Sequence, residues 1–219
     1  MPLVLIRNAA VVACMDDART ELAGGALAFR DGVITAVGGS DALASLADEA
    51  DEIVDAAGCV VTPGLVNTHH HLYQSLTRAL PGAQHAPLFE WLKRLYPVWA
   101  RYRAEDVYNA ARLGLAELAL SGCTLTSDHH YLFPDGVRLD DTIEAARAIG
   151  LRFHATRGSM SVGESQGGLP PDSVVEDEDA ILADTIRVID AFHDPGPGAM
   201  LRVAVAPCSP FSVSRDLMR

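Results

Sequence analysis

Two histidines separated by one residue are the side chains whose type and spacing most directly suggest chemistry. His69 and His71 flank His70, directly after a short apolar stretch that Pro63-Gly64 introduces. Side chains alternate across an extended strand, so His69 and His71 point to one side and His70 points away. Two imidazoles arranged in this way can each place a ring nitrogen about 2.0–2.1 Å from one Zn²⁺. A run of three histidines can also be a solvated loop, and a tetrahedral site needs further ligands from elsewhere.

The elements around the histidines predict how they are positioned. Strands are predicted over 65–69, 124–127, 151–156 and 201–206, and helices over 104–121, 140–149 and 176–192. This alternation predicts a parallel sheet with crossover helices, which corresponds to the first four βα units of a (β/α)₈ barrel over residues 61–219. A closed barrel needs about 250 residues by itself, so we expect a half-barrel. His69 and His71 would lie at the carboxyl end of its first strand, where barrel active sites form.

The first 60 residues have a different pattern. Asp31-Gly32 lies between the apolar runs 25–29 and 33–38, which is a strong hairpin signal. Further short strands are predicted near residues 3–6, 11–13 and 52–55, with a helical stretch near 41–46 and a break before residue 61. Residues 1–60 are therefore predicted to form part of a small β-sandwich.

The composition indicates which kind of partner the protein binds and in which cell compartment it acts. The chain has 17 basic and 29 acidic side chains, a net charge of −12, which disfavours nucleic acid and anionic membranes. No apolar stretch reaches the roughly 18 residues that a membrane span requires. Four scattered cysteines without a C-x-x-C pair, Cys14, Cys59, Cys123 and Cys208, are predicted to be buried free thiols. These features favour a soluble cytoplasmic protein that acts on a small molecule.

Residues 63–71 follow the pattern Pro-Gly-hydrophobic-hydrophobic-(Asp/Asn)-x-His-x-His, and in this respect the chain resembles the amidohydrolase superfamily. Residues 122–126 and 206–214 are similar to strand motifs of the branch that contains guanine, cytosine and adenosine-type deaminases and triazine hydrolases. Cys208 stands where most members of that branch have histidine. The stretches 76–84, 87–93, 154–161 and 167–172 resemble the enzymes of the branch that deaminate 8-oxoguanine.

The resemblance implies a metal-dependent hydrolase of non-peptide C–N bonds that holds one Zn²⁺ per active site at His69 and His71. The implied reaction is the deamination of a purine, 8-oxoguanine, to urate and ammonia, by an enzyme that is a homo-oligomer at full length. The family's catalytic Glu and Asp would lie beyond Arg219, so the chain alone is expected to be inactive. The alternatives are another heterocycle aminohydrolase or triazine hydrolase, and, in a different class, a non-catalytic truncated fragment.

Four side chains are candidates for substrate binding. The Gln74 amide can match the carbonyl and N–H edge of a purine, and Cys208 would leave room for an oxygen at the purine 8-position; the alternatives are a solvent-facing amide and an inert thiol. Trp91 can cover a planar base or belong to an ordinary apolar helix face. His130 can contact substrate or make a structural hydrogen bond. Arg157 is instead predicted to pair with a carboxylate at the barrel mouth.

Overall fold

The computed structural model describes residues 2–219, and the chain divides into two compact units, one ending at Gly64 and the other running from Leu65 to Arg219. The first unit is one five-stranded mixed sheet. Its strands are β1 (Val4–Ala13), β2 (Glu21–Arg30), β3 (Val33–Gly39), β4 (Glu52–Asp55) and β5 (Val60–Val61). Their order is β3-β2-β1-β4, with β5 also paired to β1.

The predicted hairpin joins β2 to the antiparallel β3. Asp31 and Gly32 both have positive φ, 55° and 76°, as the tight turn of a two-residue hairpin requires. The helical stretch predicted near 41–46 is a 3₁₀ turn over Ala44–Asp48. The buried-thiol prediction is confirmed for Cys123 and wrong for Cys59, which is exposed because it follows a turn at Gly58 on the rim of the sheet.

The second unit confirms the predicted alternation of strands and helices. Its parallel sheet has the strand order β6-β7-β8-β9. The strands are β6 (Leu65–Asn67), β7 (Cys123–His130), β8 (Arg152–Ser159) and β9 (Leu201–Pro207), and the helices are α1 (Leu88–Trp99), α2 (Ala104–Leu120), α3 (Leu139–Ile149) and α4 (Glu178–Phe192). Each strand pairs with the next along the chain, as in the first half of a (β/α)₈ barrel.

The sequence explains helix α2 by the spacing of its apolar residues and helix α3 by the glycine at its end. Val107, Ala111 and Leu115 recur at three-to-four spacing and all three are buried; Ala111 and Leu115 belong to the core that includes Phe153 and Ala155 of β8. Helix α3 ends at Gly150, whose φ of 79° and N–H bond to the Ala146 carbonyl form a left-handed cap. Leu72 lies in the same core, so the segment that follows the histidines is anchored in the interior.

The sheet of the second unit is open at β6 and at β9. Apolar side chains around both edges are exposed, among them Leu65 and Val66 on β6 and Val205 on β9. The outer face of α4 adds Ile186, which is 61% exposed. Unpaired edges of this kind favour association with other strands.

Two predicted element boundaries are wrong near the candidate site. The first strand ends at Asn67, so the histidines lie in the segment after it. After β9 the chain ends in turns, in one of which Ser214 Oγ accepts a hydrogen bond from the Leu217 N–H at 3.1 Å. The strand predicted over 151–156 is longer in the structure, because β8 continues to Ser159.

Candidate metal centre and substrate pocket

His69 and His71 lie close together at the carboxyl end of β6. Their ring centroids are 5.2 Å apart and their planes are nearly perpendicular. This separation allows one nitrogen from each ring to approach a common ion at about 2.0–2.1 Å. The ring of His70 lies against α2, where its Cε1 would be 3.7 Å from a methyl group placed on Gly114. The structure therefore brings the His69 and His71 rings together, while His70 packs against α2 and lines a cavity with His69.

His71 is oriented by a hydrogen bond to the main chain of β7. Its Nδ1 lies 2.8 Å from the carbonyl oxygen of His129, and because a carbonyl only accepts, Nδ1 carries the proton. The lone pair is then on Nε2, the arrangement that metal-binding histidines use. Burial lowers the pKa of His71 to about 4, so the ring is neutral at pH 7, as a metal ligand must be. The two imidazoles thus fit Zn²⁺.

The remaining ligands of a tetrahedral site do not come from residues 2–219. Within that range, no group of three or more His, Cys, Asp or Glu side chains is arranged to hold a metal ion. A zinc site normally has four ligands, of which a catalytic one leaves a position for water. His69 and His71 can therefore supply only part of such a centre.

The two histidines that end β7 face opposite sides of the sheet. His129 lines a cavity of about 230 Å³ together with His69, Ser127 and Thr156, and its ring centroid is 5.4 Å from that of His71. Its Nε2 donates to the Ala206 carbonyl at 2.9 Å. Nε2 therefore carries the proton, and the lone pair of the neutral ring is on Nδ1. Of the two histidines that end this strand, the sequence favoured His130, whereas the structure places His129 in the cavity, on the same side of β7 as Ser127.

The expected substrate contact of His130 is corrected by this geometry. His130 is 0% exposed, its Nε2 donates to the Leu132 carbonyl at 2.8 Å, and its ring lies 4.6 Å from that of Phe133. It therefore makes the structural hydrogen bond that was the alternative. The reason is that β7 continues through residue 130, so that alternation turns His130 towards the helices.

Burial lowers the pKa of His130 to about 3 from a usual value of 6.5. Its folded-state pKa is depressed, so the unfolded chain takes up a proton first and stability is lost as pH falls from about 6.5 to about 3. Burial raises the pKa of Asp128 from 3.8 to about 7. The contribution of Asp128 to stability is therefore lost as pH rises from 3.8 to about 7, which is opposite to the effect of His130. We therefore expect His130→Gln, which keeps a donor, to reduce the acid dependence of unfolding by up to about 1.4 kcal/mol per pH unit.

Urea unfolding at several pH values between 3.5 and 7 would measure this dependence. His85→Gln, which changes an exposed histidine, is the matched control and should unfold in parallel with the wild type. Parallel curves for the His130 variant and the wild type would contradict the assignment.

Tyr131 connects the histidines with two of the predicted substrate ligands. Its ring lies 5.3 Å from that of His71 and 5.1 Å from that of His129. The Gln74 amide nitrogen is 3.4 Å from the Tyr131 hydroxyl and 3.1 Å from that of Tyr73. Gln74 is thus held beside the histidines by two phenols, and Tyr131 is a residue that sequence reasoning missed.

Cys208 approaches the same region from the end of β9. Its main-chain N–H continues the sheet ladder to the Ser159 carbonyl at 2.9 Å, and its half-buried side chain packs against the apolar cluster that contains Tyr96 and Tyr131. Burial raises the pKa of the thiol, and the interaction with Cys208 also raises the pKa of Tyr131, after the larger effect of burial. Cys208 and Gln74 therefore both lie near the Tyr131 phenol.

Trp91 occupies the edge of this cluster. Its ring packs edge-on against Trp99 with centroids 5.4 Å apart, and the side chain is half-buried. These contacts place Trp91 in an ordinary apolar helix face, one of the two roles predicted for it. A ligand could contact only the part of the indole that stays exposed.

Arg157 has the structural role predicted for it. Its side chain is 1% exposed and pairs with Glu176 at 2.7 Å and Asp184 at 2.8 Å, while the guanidinium lies 3.9 Å from the centroid of the Phe133 ring. Asp184 also pairs with Arg187. Next to Glu176, the side chain of Asp177 caps α4 by accepting a hydrogen bond from the Ala180 N–H at 3.1 Å.

Comparison with known proteins defines the class to which this fold and site belong. Residues 60–219 match the Amidohydrolase family, and the chain belongs to that family. The chain is 53% identical over 167 residues to 8-oxoguanine deaminase of Pseudomonas aeruginosa, which covers 75% of this chain and 37% of that enzyme. It is 38% identical over 206 residues to hydroxydechloroatrazine ethylaminohydrolase of Pseudomonas sp. strain ADP, covering 89% and 43%.

A solved structure supports the same assignment. Atrazine chlorohydrolase from Arthrobacter aurescens TC1, complexed with zinc, superimposes with a TM-score of 0.90 at 33% identity over 98% of this chain and 48% of that one. The chain spans less than half the length of these three proteins. None of the helices among residues 2–219 combines the length and apolar character that a membrane crossing requires.

Proposed function

We propose that His69 and His71 hold one Zn²⁺ in an enzyme that hydrolytically deaminates a purine base, most specifically 8-oxoguanine to urate and ammonia. The observation that carries the proposal is the hydrogen bond from His71 Nδ1 to the His129 carbonyl, because it leaves the lone pair on Nε2 of a ring whose centroid lies 5.2 Å from that of His69. The 53% identity to 8-oxoguanine deaminase of Pseudomonas aeruginosa supports the choice of substrate.

The reaction replaces the exocyclic amine on a ring carbon with the oxygen of water and releases ammonia. Bound zinc supplies hydroxide at neutral pH by lowering the pKa of its water to near 7. His71 stays neutral because it is buried, and His69 completes the pair that this chain contributes. The proton transfers that general acid–base catalysis requires are assigned to a Glu and an Asp of the family pattern beyond Arg219, and no residue of this chain is given that role.

Gln74 and Cys208 are the substrate contacts that we assign to this chain, with Tyr131 between them. The two N–H groups of the Gln74 amide are directed at the Tyr73 and Tyr131 hydroxyls, so its oxygen is the atom that would accept a hydrogen bond from an N–H on the edge of the purine. The thiol of Cys208 is smaller than the histidine usual at this position in the branch, and it leaves room for the 8-oxo group. Trp91 borders the same cluster and would contact the base through its exposed edge.

Two other assignments remain alternatives. A triazine hydrolase or another heterocycle aminohydrolase is favoured by the 38% identity to hydroxydechloroatrazine ethylaminohydrolase over 89% of this chain. A non-catalytic fragment is favoured by the incomplete ligand set among residues 2–219. A cytoplasmic homo-oligomer at full length is part of our proposal, and the four free thiols support its reducing compartment.

The test uses a barrel completed with the carboxyl-terminal half of the Pseudomonas aeruginosa 8-oxoguanine deaminase. We expect ammonia release from 8-oxoguanine to exceed that from guanine, cytosine or a chlorotriazine, and we expect the 219-residue chain alone to give none. Cys208→His in the same chimera should reduce kcat/KM for 8-oxoguanine more than for guanine. No ammonia from 8-oxoguanine would eliminate the proposed substrate, and turnover by the unfused chain would contradict the incomplete site.

A further inference from the structure

Three consecutive residues of the histidine segment are held by two consecutive residues of β7. The His129 N–H donates to the His70 carbonyl at 2.8 Å, and His71 Nδ1 donates to the His129 carbonyl at 2.8 Å. The Leu72 N–H donates to Asp128 Oδ1 at 2.7 Å. His71 is therefore fixed through its ring and through its main-chain neighbours on both sides.

The two bonds made by the main chain of His129 do not depend on the type of residue at position 129, whereas the bond to Asp128 depends on its side chain. A main-chain N–H and carbonyl at position 129 are available from almost any residue, so the His129 main-chain bonds do not depend on its side chain. The bond to Leu72 needs a side-chain acceptor of the right length at position 128. Asp128 is therefore the β7 side chain on which the bond to Leu72 depends.

The Leu72 N–H needs that acceptor because of where it lies. Leu72 is 0% exposed and begins a 3₁₀ turn whose preceding residue, His71, provides no side-chain cap. The first N–H groups of a helical turn have no partner within it, and a buried N–H without a partner is unfavourable. Asp128 satisfies this N–H from 56 residues away in the sequence, in place of a local cap.

The carboxylate serves this one bond. Asp128 is 0% exposed, and among residues 2–219 its Oδ2 has no hydrogen-bond partner. A buried carboxyl group with one unsatisfied oxygen destabilises the fold, so an apolar residue would be better for packing alone. This cost is consistent with a role for Asp128 in orienting the histidine segment.

We propose that Asp128 is a positioning residue that fixes the main chain at Leu72 and thereby keeps Nε2 of His71 directed at the metal position. The inference rests on the proposed function, because it concerns the zinc site assigned there to His69 and His71. It predicts that loss of the acceptor at position 128 disorders the His71 ring and weakens metal binding, even where the fold is retained.

The test compares Asp128→Leu, which fills a similar volume without an acceptor, with Asp128→Asn, which keeps one. We expect Asp128→Leu to weaken Co²⁺ binding by the 219-residue chain about 10–100-fold and Asp128→Asn by less than about threefold, in line with other residues that orient metal ligands. Thr142→Ala is the control, because it removes a buried hydrogen bond on α3 away from the histidines. It should lower the Tm without changing Co²⁺ affinity.

Two metal-free readouts separate this inference from the function on which it rests. In the wild-type chain, ¹⁵N spectra should show the His71 proton on Nδ1, and the Leu72 amide should exchange slowly; Asp128→Leu should mix the tautomers and speed the exchange. If Asp128→Leu does not fold, Asp128→Ala takes its place. Unchanged tautomer and exchange would overturn the positioning role, as would equal loss in Asp128→Asn. Absence of Co²⁺ binding by the wild type would overturn the metal site instead.

Discussion

Replacing His71 by alanine is expected to abolish turnover by the completed barrel, with kcat/KM reduced by at least about 10⁴-fold, because the rate depends on a water whose pKa the metal lowers. The variant removes the imidazole that lies beside His69. That imidazole is oriented by the hydrogen bond that its Nδ1 donates to the His129 carbonyl. Measurement of bound zinc by atomic absorption, together with steady-state kinetics on 8-oxoguanine, tests this result.

The adjacent histidine provides a matched control for that prediction. His70→Gln changes the same residue type one position away, on a ring that lies against α2. It should retain zinc and keep kcat/KM within about tenfold of the parent, because the His70 ring packs against α2 and is not one of the two assigned metal ligands. Equal losses in the two variants would mean that the segment as a whole, and not the His71 nitrogen, is what matters.

Replacing Arg157 by methionine is expected to lower the free energy of unfolding by about 3 kcal/mol, because Glu176 loses its cation and Asp184 keeps only its pairs with Arg187 and Arg138. Arg157 is 1% exposed and forms ion pairs with both carboxylates. Burial alone would raise the pKa of Asp184, but hydrogen bonds from Arg187 and Arg157 hold it below its usual value. The stabilisation from Asp184 is therefore present above pH 3.8 and is lost as pH falls through the lower folded-state pKa.

Urea denaturation at pH 7 would measure the effect of Arg157→Met. Arg147→Met is the control, because Arg147 pairs with Glu144 at 2.6 Å on an exposed helix surface, where such pairs contribute about 1 kcal/mol or less. A loss for Arg157→Met no greater than that for Arg147→Met would show that the buried network does not hold the end of β8 to α4.

The architecture of the second unit could be predicted because its signals are local. Apolar residues at helical spacing, such as Val107, Ala111 and Leu115, and a glycine after the helix, such as Gly150, mark α2 and α3 without knowledge of their neighbours. The pairing of Arg157 with carboxylates could be predicted as well, because a cation at the end of an internal strand needs an acidic partner.

The details of the site depend on contacts between residues distant in sequence. The end of β6 could not be placed, because the segment after Asn67 is fixed by Asp128 and His129 and not by its own propensity. The inward side of β7 was misassigned, because the strand continues through His130. The grouping of Gln74 with Cys208 depends on how Tyr131 packs, and no spacing in the sequence reports that packing.

The most direct test of the central claim is to locate the zinc-bound nitrogens by ¹⁵N spectroscopy of the histidine rings during addition of Zn²⁺ to the 219-residue chain. We expect His69 and His71 to shift together, with His71 bound through Nε2 and its Nδ1 proton retained on the His129 carbonyl, and His70 and His130 to be unaffected. Binding through His70, through His71 Nδ1 or at a position remote from both histidines would contradict the assignment of this metal centre.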